Sequence, residues 1–168
     1  MATVRVQQAD FDIGAEVAAV TAGRTDIGGT GCFIGTVRET ADGRPITAMT
    51  LEHYPGMTER AMAAIAEQAE ARWSLLGCTL IHRVGRLTPG ANIVLVLAAA
   101  PHRQAALEAT AFLIDWLKTR APFWKKEHFA DGAEAWVAAR VEDDAAAARW
   151  GGGTAGRDRR TMAPGGSG

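Results

Sequence analysis

The longest apolar run in the chain, IVLVLAAA at residues 93–100, has the length of a β-strand and falls well short of the roughly 18 residues a helix needs to cross a bilayer. The turn sequence Thr88-Pro89-Gly90-Ala91 precedes it, and Pro101 follows it. A proline fits the first turn of a helix, because the N–H it lacks would have no partner there. The segment is therefore expected to pass from a strand over 92–100 into a helix that runs to about Thr119. Ala106, Thr110, Leu113 and Leu117 form one stripe of that helix at helical spacing. Ala121-Pro122 ends it, since a residue before proline resists the α region.

The rest of the chain supplies the elements that such a strand and helix need. Val4 and Val6 alternate with Arg5 and Gln7, which predicts a short strand over 2–7. Asp12 is placed to cap a short helix through Val20, closed by Gly23. A strand over 31–38 follows Gly28-Gly29, and Ala41-Asp42-Gly43-Arg44-Pro45 reads as a hairpin turn into a strand over 46–53. Residues 57–73 form a helix with Met62, Ile65, Ala69 and Trp73 on one side. Further strands are expected over 78–87, 123–128 and 135–139, the last two joined around Asp131-Gly132. Mixed order with frequent hairpins points to an α+β domain over 1–150, a mostly antiparallel sheet with two main helices packed on it, rather than a doubly wound sheet. Residues 151–168, GGGTAGRDRRTMAPGGSG, hold Met162 as their single large apolar side chain and are expected to be a disordered tail.

A formal net charge of −1 exerts no overall pull toward nucleic acid or an anionic membrane, so any anion site must come from a local group of cations. Cys32 and Cys78 supply no disulfide framework, and MATVRVQQADFD has no apolar core of a secretory signal; a cytoplasmic protein is expected. His53, His82, His102 and His128 lack metal-ligand spacing, and no phosphate-binding loop or nucleophile elbow is present. No metal and no cofactor is expected.

Chemistry can reside in three places. The first is LKTRAPFWKKE at 117–127, where Lys118, Arg120, Lys125 and Lys126 are interleaved with Pro122, Phe123 and Trp124. Charge alone permits a bland account, with Lys118 and Arg120 complementing a helix end and the other two on a solvated strand. Strand alternation, however, sends Lys125 and Lys126 to opposite faces, so one of them shares the face of Phe123. A lysine in a partly apolar pocket near other cations has its neutral form favoured, which suits it to move protons, whereas the helix dipole at Lys118 favours the charged form, and burial decides between them. The second place is Pro101-His102-Arg103 at a helix start, where unpaired N–H groups, a guanidinium and an imidazole suit a phosphate or carboxylate, although ordinary surface residues at a helix start would look the same. The third is Arg38 at a strand end, suited to a further anion contact, although an arginine kept at a strand end for solubility is the commoner case. His102 and Lys118 lie sixteen residues apart on one helix, a rise of about 24 Å. If both clusters serve one small substrate, one of them comes from a second copy of the chain.

The blocks GCFIGTVR (31–38), LEHYPGM (51–57), IHRVGRL (81–87), AAAPHR (98–103) and DWLKTRAPFWKKE (115–127) occur in that order, and together they resemble the large, catalytic subunit of molybdopterin synthase from about Val4 to Trp150. The resemblance implies an α/β hammerhead fold and a sulfurtransferase. Such an enzyme adds two sulfurs to cyclic pyranopterin monophosphate to make the dithiolene of molybdopterin, a step of molybdenum cofactor biosynthesis. The sulfur would arrive as a thiocarboxylate on the C-terminal Gly-Gly of a small ubiquitin-like subunit, in a heterotetramer built on a homodimer of the large subunit. Lys118 and Lys125 match the family's active-site lysines. Arg38, His102 and Arg103 match its anion-binding positions, and Phe33 and Ile114 are expected to line the pterin pocket. The cysteines are expected to be small buried residues rather than sulfur carriers. Two other functions compete: a module that docks a Gly-Gly tail without catalysis, and a phosphate-ester enzyme using the same cations. Retention of both lysines together with the anion cluster speaks against the first, and the lack of a metal site or an evident carboxylate base against the second.

Overall fold

The structure is a computed structural model and describes residues 2–137 and 141–151. The tail expected from residue 151 onward thus lies, except for Gly151, outside the described residues, as do residues 138–139 of the last expected strand. Nine strands and four helices are described, in the order β1 (Thr3–Gln7), α1 (Ile13–Thr21), β2 (Gly29–Thr36), β3 (Thr40–Ala41), β4 (Arg44–His53), α2 (Met57–Trp73), β5 (Gly77–Arg83), β6 (Gly85–Leu87), β7 (Asn92–Ala100), α3 (Arg103–Thr119), β8 (Phe123–Phe129), β9 (Glu134–Trp136) and α4 (Val141–Ala148).

Local chemistry accounts for most of these boundaries. The Asp12 carboxylate accepts the Ala15 N–H at 2.9 Å and starts α1. Asp42 and Gly43 both have positive φ, 50° and 77°, and join β3 to β4 through a two-residue turn of the kind that matches strand twist. Gly56, at φ 82°, breaks β4 from α2, and its N–H is held by the Glu59 carboxylate at 2.6 Å. Helix α3 begins two residues later than the proline suggests: His102 is its extended N-cap, and Pro101 stands outside.

Two sheets form where one was expected. The first has the order β1-β5-β7-β2, parallel only between β1 and β5; the second has the order β3-β4-β8-β9, with β6 also paired to β4. The division runs through the segment expected as one strand over 78–87. β5 ends at Arg83, and Gly85, the first residue of β6, takes φ 85° and redirects the chain, so β5 stays with the first sheet and β6 pairs with β4 of the second. The second sheet is antiparallel throughout its ladders.

Strand β7 is apolar from Ile93 to Ala100, after its opening Asn92, because both its faces are covered there. Val94 and Val96 belong to the main core with Leu80, Met62 and Ile65 of α2, Leu113 and Leu117 of α3, and Leu51 and Phe129 of the second sheet. Leu95 and Leu97 face a smaller cluster with Phe11, Ile81 and the α1 residues Val17 and Val20. The stripe Ala106, Thr110, Leu113 and Leu117 is buried, as its spacing predicts. At the far end Trp73, Phe112 and Trp150 pack as a ring cluster, and the Trp150 indole N–H donates to Asp115 at 2.7 Å. No helix among the described residues is long and apolar enough to cross a membrane.

Candidate active site

The short passage from α3 to β8 brings the first pair of candidate lysines together. Lys118 sits in the last turn of α3 and Lys125 is the third residue of β8. Both line a cleft of about 580 Å³ between α3, the end of β2 and the second sheet. Arg38 and Phe33 line the same cleft from the β2 side. Four residues expected in the site from the sequence thus line one cleft, Lys118, Lys125 and Phe33 from α3, β8 and β2, and Arg38 from the loop just after β2.

Alternation along β8 assigns the lysines as expected. Phe123, Lys125, Glu127 and Phe129 share one face, which is half-buried to buried, and Lys125 stands opposite Leu51 of β4. Lys126 turns the other way, pairs with Glu134 at 3.3 Å and lies over the Trp136 ring at 4.9 Å. Among the described residues that line the cleft, Lys118, Lys125 and Arg38 are cations and Glu127 is a carboxylate, so an anion entering it meets excess positive charge. Its walls also include Trp124 and Trp136, both substantially exposed, which a flat ring could cover.

Behind Phe123 lies His82 of β5, 3% exposed, its ring stacked on Phe123 with centroids 3.8 Å apart and planes 18° apart. Burial pushes its pKa down to about 3; the bond to the Arg83 carbonyl opposes the shift, while the charges of Lys125 and Lys118 and the proximity of His53 add to it.

The second candidate cluster stands elsewhere. His102 and Arg103 are exposed at the N-terminus of α3, away from the cleft of the same chain. The first turn of α3 has no side-chain cap, so its N–H groups are not claimed by a side chain at the N-cap. Ile114 is half-buried against the main core and is not part of the cleft wall. Of the cysteines only Cys78 is buried; burial first, then the charge of Glu70, raises its thiol to about 12, so it carries no thiolate near neutral pH. Cys32 faces outward on β2, contrary to the expectation of burial, because its neighbours Gly31 and Phe33 take the inward positions of the alternating strand.

Sequence reasoning gave no site role to Glu127, Trp124, Trp136 or His82. Alternation from Phe123 through Lys125 would have reached Glu127, whereas His82 is joined to the site only by the meeting of the two sheets.

The model of the family described as "MoaE protein" matches residues 6–120. The chain is 56% identical over 151 residues to the molybdopterin synthase catalytic subunit of Ralstonia nicotianae, covering 90% of this chain and 85% of that protein. Among solved structures it is similar to the molybdopterin biosynthesis MoaE protein from Burkholderia ambifaria, with a TM-score of 0.76 at 53% identity over 90% of this chain and 99% of that one. It also matches the molybdopterin synthase structure from Staphylococcus aureus, with a TM-score of 0.71 at 26% identity over 79% of this chain and 95% of that one. Family model, relatives and fold agree: the chain belongs to the family of molybdopterin synthase catalytic subunits, enzymes of molybdenum cofactor biosynthesis.

Proposed function

We propose that this chain transfers two sulfurs to cyclic pyranopterin monophosphate, one from each of two successive thiocarboxylated copies of a small ubiquitin-like subunit, giving the dithiolene of molybdopterin while each copy leaves with an ordinary C-terminal carboxylate. The observation that carries this reading is the convergence of Lys118 and Lys125, from a helix end and a strand, on one cleft with Arg38 and Phe33.

Each group has work that suits its chemistry. The thiocarboxylate is an anion on a narrow, flexible tail, and Lys118, exposed at the cleft, holds it through a charge-assisted contact. Lys125, half-buried on the inner face of β8, stabilises the negative charge that develops as sulfur adds to the pterin, or passes a proton to it. Arg38 takes the phosphate from the β2 side, and Phe33 gives the pterin an apolar wall. His102 and Arg103, with the uncapped start of α3, form the remaining anion contact; because they stand at the other end of the helix, they serve the cleft of a second protomer. In that arrangement Ile114 belongs to the support of the pocket rather than its lining. The working assembly is a homodimer with one small subunit at each cleft, in the cytoplasm, where thiols stay reduced.

The test is molybdopterin formation from thiocarboxylated small subunit and cyclic pyranopterin monophosphate. Lys118→Ala is expected to lose roughly two orders of magnitude or more in rate, the scale of removing a group that contacts the reacting charge, and Lys125→Ala at least tenfold. Circular dichroism is expected to show both variants folded. Wild-type rates in both would overturn the assignment.

A further inference from the structure

A buried imidazole stands beside this cleft, and the reaction as read above gives it no task. His82 projects from β5 on the side of Cys78 and Leu80, into the main core, where the two sheets meet. Its ring lies against Phe123, which opens β8 two residues before Lys125. Its Nδ1 is 2.8 Å from the carbonyl oxygen of Arg83. A carbonyl only accepts, so Nδ1 holds the proton and donates it, and the neutral ring keeps its lone pair on Nε2.

The groups around it are unequal in charge. Lys118 of α3 and Lys125 of β8 line the cleft together with Phe123, and their charges oppose a proton on the ring; the His53 ring of β4 lies 6.2 Å from the same Phe123 ring. Glu127 shares the β8 face of Lys125, and the Arg83 guanidinium is turned to the carbonyls of Gln8 and Asn92. A carboxylate in place of His82 would tie up a lysine as an ion pair and cancel charge meant for the substrate. A second cation would drive a lysine off its charge. A neutral ring does neither.

We propose that His82 is a positioning residue of the two-lysine site: its ring props Phe123, and with it the strand that carries Lys125, while its unprotonated Nε2 gives the lysine end of the core an acceptor instead of a charge. This rests on Lys118 and Lys125 being the working lysines. His82 touches no substrate and acts through Phe123 and the lysines.

Three substitutions separate packing from the lone pair. His82→Phe keeps a stacking ring and loses both nitrogens; His82→Asn puts an amide where Nδ1 stands; His82→Gln puts one where Nε2 stands. With the full chain, thiocarboxylated small subunit and pterin substrate, His82→Phe is expected to lose about tenfold in rate at saturation, the scale of one hydrogen bond to a charged group, with KM changed less than about twofold. His82→Asn is expected to match it, and His82→Gln to recover most of the wild-type rate. A wild-type rate in His82→Phe, or equal losses in all three variants, overturns the proposal. Lys125→Ala run alongside tells the two readings apart: if it is inactive while His82→Phe is at full rate, only the role of His82 fails, and if it is fully active the site assignment fails as well. Should the variants not fold, nitrogen NMR of the wild-type imidazoles decides. His82 is expected to stay in the Nδ1–H form from about pH 5 to about pH 8, and a titrating ring overturns the proposal.

Discussion

Lys125 and Lys126 are neighbours of identical chemistry with different surroundings. The period of a strand was enough to tell them apart: one shares the face of Phe123 and lines the cleft, and the other pairs with Glu134 outside it. Period could not say what stands behind the inner face. His82 was visible only as a histidine without metal-ligand spacing, because its stacking partner belongs to the other sheet. Its burial has a consequence for stability. The folded-state pKa, about 3, lies below the ordinary 6.5, so the unfolded chain binds the proton first as pH falls. The neutral buried ring is therefore at no disadvantage above about pH 6.5, and stability is lost progressively as pH drops from there toward 3. Between about pH 7.5 and about pH 5 this one group is expected to cost about 2 kcal/mol. Urea unfolding of wild type and His82→Gln at both pH values checks it. The wild type is expected to show the steeper decline, and parallel declines would mean the ring does not titrate on unfolding.

At the scale of elements, the sequence was most legible where a segment keeps one period and ends on a residue with a single conformational meaning. The helix over 57–73 and the strand over 92–100 have the boundaries their patterns predict. The strand expected over 78–87 was not so legible: hydrophobicity runs on through Val84 and Leu87, and only the positive φ of Gly85 moves the chain to another sheet. The run Gly28-Gly29-Thr30-Gly31, which fits no nucleotide-binding pattern, also finds its reason in packing. A Cβ on Gly31 would stand 2.2 Å from Thr110 Oγ1 and 2.6 Å from the Ala106 carbonyl oxygen, and one on Gly28 would meet the Pro101 carbonyl at 1.8 Å. Gly31 lets β2 lie directly on the first turns of α3, and Gly28 lets the chain just before β2 pass against Pro101, which fixes the strand leading to Arg38 against the helix that carries Lys118 in its last turn. Gly31→Ala is expected to destabilise the protein by about 1–3 kcal/mol, the usual cost of overpacking. Because a main-chain carbonyl is one of the obstacles, removing the hydroxyl with Thr110→Ala is expected to recover only part of the loss. Thermal melts of the single and double variants measure both effects, and a Gly31→Ala melt equal to wild type would refute the close-packing argument.

For the whole molecule the length of α3 is decisive. The helix is continuous from Arg103 to Thr119, so the cations at its two ends are held about 24 Å apart and cannot fold back onto one small substrate. Both ends can serve a single site only if the protein is a symmetric dimer in which each cleft takes Lys118 from one protomer and His102 with Arg103 from the other. That arrangement has an arithmetic signature. Lys118→Ala and Arg103→Ala homodimers each carry two damaged sites and are expected to be inactive or nearly so. After subunits are exchanged at equal concentrations, half the dimers are mixed by random pairing, and each mixed dimer concentrates both substitutions in one site and leaves the other intact. About a quarter of all sites are then of wild-type composition, and about a quarter of the wild-type rate is expected to return. If each chain supplied its whole site, every site in the mixture would still lack a cation and nothing would return. Mixing Lys118→Ala with Lys125→Ala gives the contrast. Both lysines line the cleft of one chain, so under the same reading the mixture leaves no site intact and its rate is expected to stay at the level of the separate variants.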